Sequence, residues 1–234
     1  HYLGREGVPL LFSWPADRGG PSGYAYDIES GKFCVYHLKD LLRLLARHDP
    51  IEAIHIVAHS RGTDVATSAL RELVMEARAA GHDPRDRLKV RNLVLAAPDL
   101  DMSVVEQRII AEKVGLGIER VTIYTSQGDK AIRLSEKLRS GLRRLGRVGA
   151  ADVPENRAND ILVWQRVTNI DFVDFEGEAD QFGHSYFLTN PNASSDLVML
   201  LRFGYAPGEE NGRPLEYLGA GFWRVPDAYP PPPS

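Results

Sequence analysis

The chain has 234 residues, of which 43% are hydrophobic and 26% charged, with a formal net charge of -4. That length accommodates an α/β domain with a sizeable core, and the slight negative charge argues against nucleic acid as a general partner. The single cysteine, Cys34, cannot form an internal disulfide. No apolar run reaches the length needed to cross a bilayer, and no cluster of His, Cys and carboxylates has metal-ligand spacing, so neither metal nor other cofactor is expected.

Short apolar runs alternate with helical patterns along the chain, which predicts a mainly parallel sheet covered by helices on both faces. Residues 8–14 read as the first strand and residues 16–31 as a Gly/Pro/Tyr loop. A helix is expected over 33–47, with Leu38, Leu41, Leu42 and Leu45 at helical spacing. The second strand, 53–58, leads into a helix reaching about Ala80. A third strand covers 90–97, residues 102–114 look helical, and a fourth strand spans 120–125. The helix after it is expected over 130–145, with Ile132, Leu134, Leu138, Leu142 and Leu145 as its apolar face. Residues 161–175 read as a last strand bent near Thr168-Asn169, and the last helix covers 194–203. The α/β domain is expected to end near 204, and residues 205–234 read as an irregular tail ending in Pro230-Pro231-Pro232-Pro233, extended and semi-rigid.

The chemistry starts at residues 54–64, IHIVAHSRGTD. An apolar strand runs straight into Ala58-His59-Ser60-Arg61-Gly62, and a helical pattern follows at once, the arrangement of a nucleophile elbow. The small residues Ala58 and Gly62, two positions either side of Ser60, are expected because strand and helix pass close there. A serine needs a base to remove its proton and an acid to orient that base. Only His82 and His184 follow Ser60 in the chain. His82 lies in a polar loop before the third strand, away from the carboxyl ends of the strands, whereas His184 lies after the final strand, so His184 is read as the base. Asp129, directly after the fourth strand, is preferred as the acid, with a second role as helix cap. Asp99, after the third strand, is the rival, while Asp171 and Asp174 lie too far down the last strand. The backbone N–H of Arg61 is expected to supply one oxyanion donor.

These residues resemble the α/β-hydrolase superfamily and, more narrowly, a bacterial esterase/lipase-like family of unknown function (domain of unknown function 900). The resemblance is carried by Leu11-Phe12-Ser13-Trp14-Pro15, the elbow, Ala96-Ala97-Pro98-Asp99, Tyr124 to Ala131, and Gly183-His184-Ser185-Tyr186-Phe187. It implies Ser60, Asp129 and His184 as the catalytic triad. Two departures stand out. Arg61 occupies the place of an apolar residue beside the serine, bringing positive charge near the oxyanion. The family's upstream strand and oxyanion loop are not found, so the chain reads as N-terminally shortened, with the second oxyanion donor upstream of residue 1.

Trp14, Pro15 and Tyr24 are candidates to line the acyl pocket. His59 and His55 read as packed interior histidines, and Arg139, Arg143, Arg144 and Arg147 as a solvated basic face. The expected function is a serine hydrolase acting on a small-molecule carboxylic ester through an acyl-enzyme. The alternatives are an acyltransferase of the same fold and a catalytically silent binding domain. With no room for a lid between Asp99 and Met102, the site should be open.

Overall fold

In the computed structural model, which describes residues 7–15, 20–139, 141–153, 169–176 and 183–231, four strands lie parallel and side by side in chain order. They are β1 Ile54–His59, β2 Val90–Ala96, β3 Arg120–Thr125 and β4 Ile170–Asp174. A hairpin completes the sheet: β6 Phe222–Arg224 pairs parallel with β4, and β5 Glu216–Gly219 pairs antiparallel with β6. The helices are α1 Gly20–Arg47, α2 Gly62–Ala79, α3 Pro84–Leu88, α4 Met102–Val105, α5 Lys130–Leu138, α6 Tyr186–Thr189 and α7 Pro191–Phe203.

The near-continuous apolar run of β2 follows from burial on both faces. Side chains alternate across a strand, so Leu93 and Leu95 join one core with Leu38, Leu42, Leu70 and Val74 from α1 and α2. Val94 and Ala96 join a second core with Leu197 and Leu200 of α7, together with Leu215 and Val225. The strands end in step: His59 pairs with Ala96, Ala96 with Tyr124, and Thr125 with Asp174. Four carboxyl ends therefore lie along one edge, where open parallel sheets place their sites.

Several expectations need correction. Residues 8–14 form no strand; Val8 and Leu11 are 94% and 91% exposed, and only Phe12 and Trp14 pack on the first core. Among the described residues β1 is an outer strand, with Val57 exposed. The expected loop at 16–31 is largely helix, because α1 starts at Gly20, with Pro21 in its first turn, where a missing N–H costs nothing. The helix after β2 widens into π turns over Glu106–Ala111. α5 stops at Leu138, and the chain reverses through Gly141 (φ 77°), so Leu134, Leu138 and Leu142 stay exposed while Ile132 and Leu145 are buried. Residues 161–168 of the last expected strand lie outside the described residues.

The segment after Gly204, expected to be irregular, carries β5 and β6, and buried polar contacts tie it down. Arg213 and Asp196 are both fully buried. Arg213 donates to Asp196 from Nε at 2.7 Å and from Nη2 at 2.8 Å, a bidentate pair. The Asp196 carboxylate also accepts from Tyr124 Oη at 2.5 Å and Tyr229 Oη at 2.7 Å. Burial pushes both phenols well above the ordinary tyrosine pKa, and the Asp196 charge beside them adds to it. One carboxylate on α7 thereby links β3 to both ends of the C-terminal hairpin.

Candidate active site

Ser60 follows β1 with φ 51°, a left-handed conformation that costs energy for a residue with a side chain. Its surroundings hold it there. The Ser60 N–H donates to the Ala96 carbonyl at 3.0 Å, which continues the β1–β2 ladder one residue past the strand. The Ser60 carbonyl accepts from Thr63 N at 3.2 Å, Thr63 Oγ1 at 2.6 Å and Asp99 N at 3.3 Å. Arg61 occupies the N-cap position of α2, so the first turn of an 18-residue helix begins beside the serine and its N-terminal N–H groups make the spot favourable for negative charge. The space at Gly62 is limited by Trp14 rather than by the strand. A Cβ there would lie 3.3 Å from the indole ring, so the indole covers the start of α2.

The carboxylate of Asp129 is fully buried in the turn after β3. Its two oxygens do different work. Oδ1 accepts from Ile132 N at 2.9 Å and caps α5, while Oδ2 lies 2.7 Å from His184 Nδ1. A carboxylate can only accept, so His184 Nδ1 carries the hydrogen, and the neutral ring presents Nε2 as its acceptor. The backbone brings the two turns together at Gly183, which has φ 66° and where a Cβ would come within 3.1 Å of the Gly128 carbonyl oxygen. Left-handed backbone and close approach coincide there, and only glycine satisfies both. His184 in turn lies against the residue preceding the serine: the rings of His59 and His184 are 4.5 Å apart between centroids.

The rival acid, Asp99, is engaged elsewhere. It is buried and accepts from Ser135 Oγ at 2.6 Å, with Arg144 Nε at 3.4 Å and Arg61 Nη1 at 3.7 Å. Arg61 also reaches Asp64 at 3.6 Å, so its guanidinium is partnered by two carboxylates rather than left as an isolated charge beside Ser60. Trp14 packs beside the elbow, and Pro15 is exposed with its carbonyl accepting from Ser30 Oγ at 2.7 Å. Tyr24 lies within α1, and its side chain is outside those described. Nor is every histidine where it was expected: His55 sits exposed on β1, with Nδ1 2.8 Å from Asn92 Nδ2, rather than in the core. A polar cavity of about 270 Å³ borders the acid-bearing turn at Gln127. Its Arg143 and Arg147 pair with Asp152 and Glu136, a charged lining unlike an acyl pocket.

Asp174, expected to lie too far down the last strand, instead reaches this edge. Asp174 ends β4 almost fully buried, and its Oδ1 has no hydrogen-bond partner among the described residues. Burial raises its pKa from 3.8 to about 6, with Glu176 and Asp152 adding to the rise and Arg224 and the Phe175 N–H opposing it. The fold therefore prefers the protonated form. Its stabilising contribution is complete below pH 3.8 and is lost as pH rises through about 6. Asp174→Asn, which is neutral at every pH, should raise stability at pH 8 by on the order of 3 kcal/mol, a gain of roughly 6–12 °C in Tm. At pH 3.5 the variant and the parent should melt together. Thermal unfolding at the two pH values checks this, and equal shifts at both would contradict a titrating Asp174.

No helix among the described residues is long and apolar enough to cross a membrane. No curated protein and no solved structure matches the chain. A family model described as alpha/beta hydrolase of unknown function (DUF900) matches residues 1–201, a span that includes the elbow, the Asp129 turn and the His184 loop. The mostly parallel sheet between two helical layers agrees with that description, and the chain belongs to this α/β-hydrolase family.

Proposed function

We propose that this protein hydrolyses carboxylic esters through an acyl-enzyme, with Ser60 as nucleophile, His184 as base and Asp129 as the acid that orients it. The observation that carries the reading is the 2.7 Å contact between His184 Nδ1 and Asp129 Oδ2, formed beside a serine held at φ 51°. His184 Nε2 takes the hydroxyl proton as Ser60 Oγ attacks the ester carbonyl, and Asp129 stabilises the imidazolium that forms. The Arg61 N–H donates to the oxyanion, an interaction whose loss in related chemistry costs about 10²- to 10³-fold in rate. The imidazolium then protonates the leaving alkoxide. Water, deprotonated by the same nitrogen, cleaves the acyl-serine and regenerates the hydroxyl. Trp14, against the first turn of α2, forms an apolar wall suited to the acyl group, with Pro15 and Tyr24 proposed to extend it.

A fluorophosphonate probe tests this reading because it requires an activated serine and no knowledge of the substrate. The protein should label with one probe per chain, on the peptide containing Ser60, and Ser60→Ala should abolish both labelling and turnover of a short p-nitrophenyl ester. A folded wild-type protein that neither labels nor turns over ester would defeat the proposal.

A further inference from the structure

We propose that His59 is a positioning residue, holding the loop that carries His184 against the elbow by donating a hydrogen bond from Nε2 to the His184 backbone carbonyl. The inference rests on the reading of Ser60 and His184 as nucleophile and base, and it concerns what keeps those two in register.

His59 Nε2 lies 3.1 Å from the His184 carbonyl oxygen. A carbonyl only accepts, so Nε2 must carry a hydrogen, which makes neutral His59 the Nε2–H tautomer. The His59 ring also packs on that of His184 at 4.5 Å and on Phe187 at 4.9 Å, both tilted by 45°. Ring packing fixes where the imidazole lies, and the hydrogen bond fixes how far the loop sits from it. Asp129 orients the His184 ring from one side through Nδ1, while His59 acts on the same residue's backbone. The contact spans 125 positions in sequence and ends on the residue immediately before Ser60. A shift of the His184 loop relative to β1 must therefore break it. His59 need not touch substrate or exchange a proton to act. It limits the freedom of the base relative to the nucleophile, and displacements of about 1 Å can cost a hundredfold in rate.

Two substitutions separate the hydrogen bond from the packing. His59→Phe keeps a ring against His184 and Phe187 but has no donor. His59→Gln loses the ring but places an amide N–H at similar reach. His59→Phe should lower kcat on a p-nitrophenyl ester by about 10- to 100-fold with little change in KM. His59→Gln should recover most of that loss, to within about threefold of the parent. A residue needed only for packing would give the reverse order, Gln being the worse of the two, and that result would overturn the proposal.

A second measurement needs no turnover. Long-range proton–nitrogen NMR spectra of the wild-type imidazoles should show His59 as the Nε2–H tautomer, and the low-field proton of the His184–Asp129 contact should be sharp. In His59→Phe that low-field resonance should broaden, and in His59→Gln it should stay sharp. An Nδ1–H tautomer at His59 in the wild type defeats the proposal even if the protein proves to be an active esterase. The expected tautomer in a protein that cleaves no ester would leave the positioning contact standing and count against the function instead.

Discussion

Asp129→Asn should lower turnover of a short p-nitrophenyl ester by about ten-thousandfold, the loss such a swap causes in serine proteases. The geometry explains the size. The amide can keep its oxygen on Ile132 N, because Oδ1 caps α5 at 2.9 Å, and this turns its NH₂ toward His184 Nδ1. Two donors cannot face each other, so the imidazole must move its hydrogen to Nε2, and the nitrogen facing the serine then no longer accepts. Because the cap survives, the variant should stay folded, which separates this effect from unfolding. Asp99→Asn removes charge from the cluster of Ser135, Arg61 and Arg144 and should cost stability while reducing turnover far less. Steady-state kinetics on both variants, with a melting curve for each, decides between the two carboxylates. If Asp99→Asn proves the crippling change, Asp129 is not the orienting acid.

Arg213→Met should destabilise the protein by about 3–5 kcal/mol, the cost of leaving a buried carboxylate without its cation. At roughly 2–4 °C of Tm per kcal/mol for a chain of this size, the midpoint should fall by about 10 °C. Asp196 would keep the phenols of Tyr124 and Tyr229 as donors, but neither neutralises a charge surrounded by α7, β3 and the hairpin. Replacing Asp196 by Leu in the same chain should recover much of the loss, since a buried ion pair and a well-packed apolar pair are often close in free energy. Urea unfolding of the single and double variants measures both. A single variant that loses less than about 1 kcal/mol, the scale of an exposed ion pair, would mean that the pair does not anchor the C-terminal segment.

What the sequence by itself determined is what short-range chemistry determines. β3 runs over the residues expected of it, Arg120–Thr125, because a run of apolar and β-branched residues bounded by polar turns has few other outcomes. The strand–serine–helix unit at 54–64 was legible for the same reason: strand pattern, small neighbours and helix pattern all lie within a few positions. The parallel arrangement with helices on both faces followed from alternating patterns. Leu38 and Leu42 of α1 point inward as their spacing implies.

What only the tertiary structure decided were the questions that depend on a distant partner. An apolar stretch becomes a strand only if another strand takes its backbone hydrogen bonds. Residues 8–14 have the composition but not the ladder, and Phe12 and Trp14 pack half-buried against the first core instead. The segment after Gly204 has no periodicity to read, since it is held by β4 on one side and by the buried Arg213–Asp196 pair on the other. Asp99 and Asp129 look alike in sequence, each directly after a strand. Their difference is that the loop at Gly183 descends onto Gly128 and delivers His184 to one of them, while Ser135, Arg61 and Arg144 enclose the other. His59 read as an interior histidine, and nothing local reveals that its acceptor lies 125 residues away. Local patterns select elements. Which side chains meet is set by contacts whose free energy exists only once the chain has closed around them.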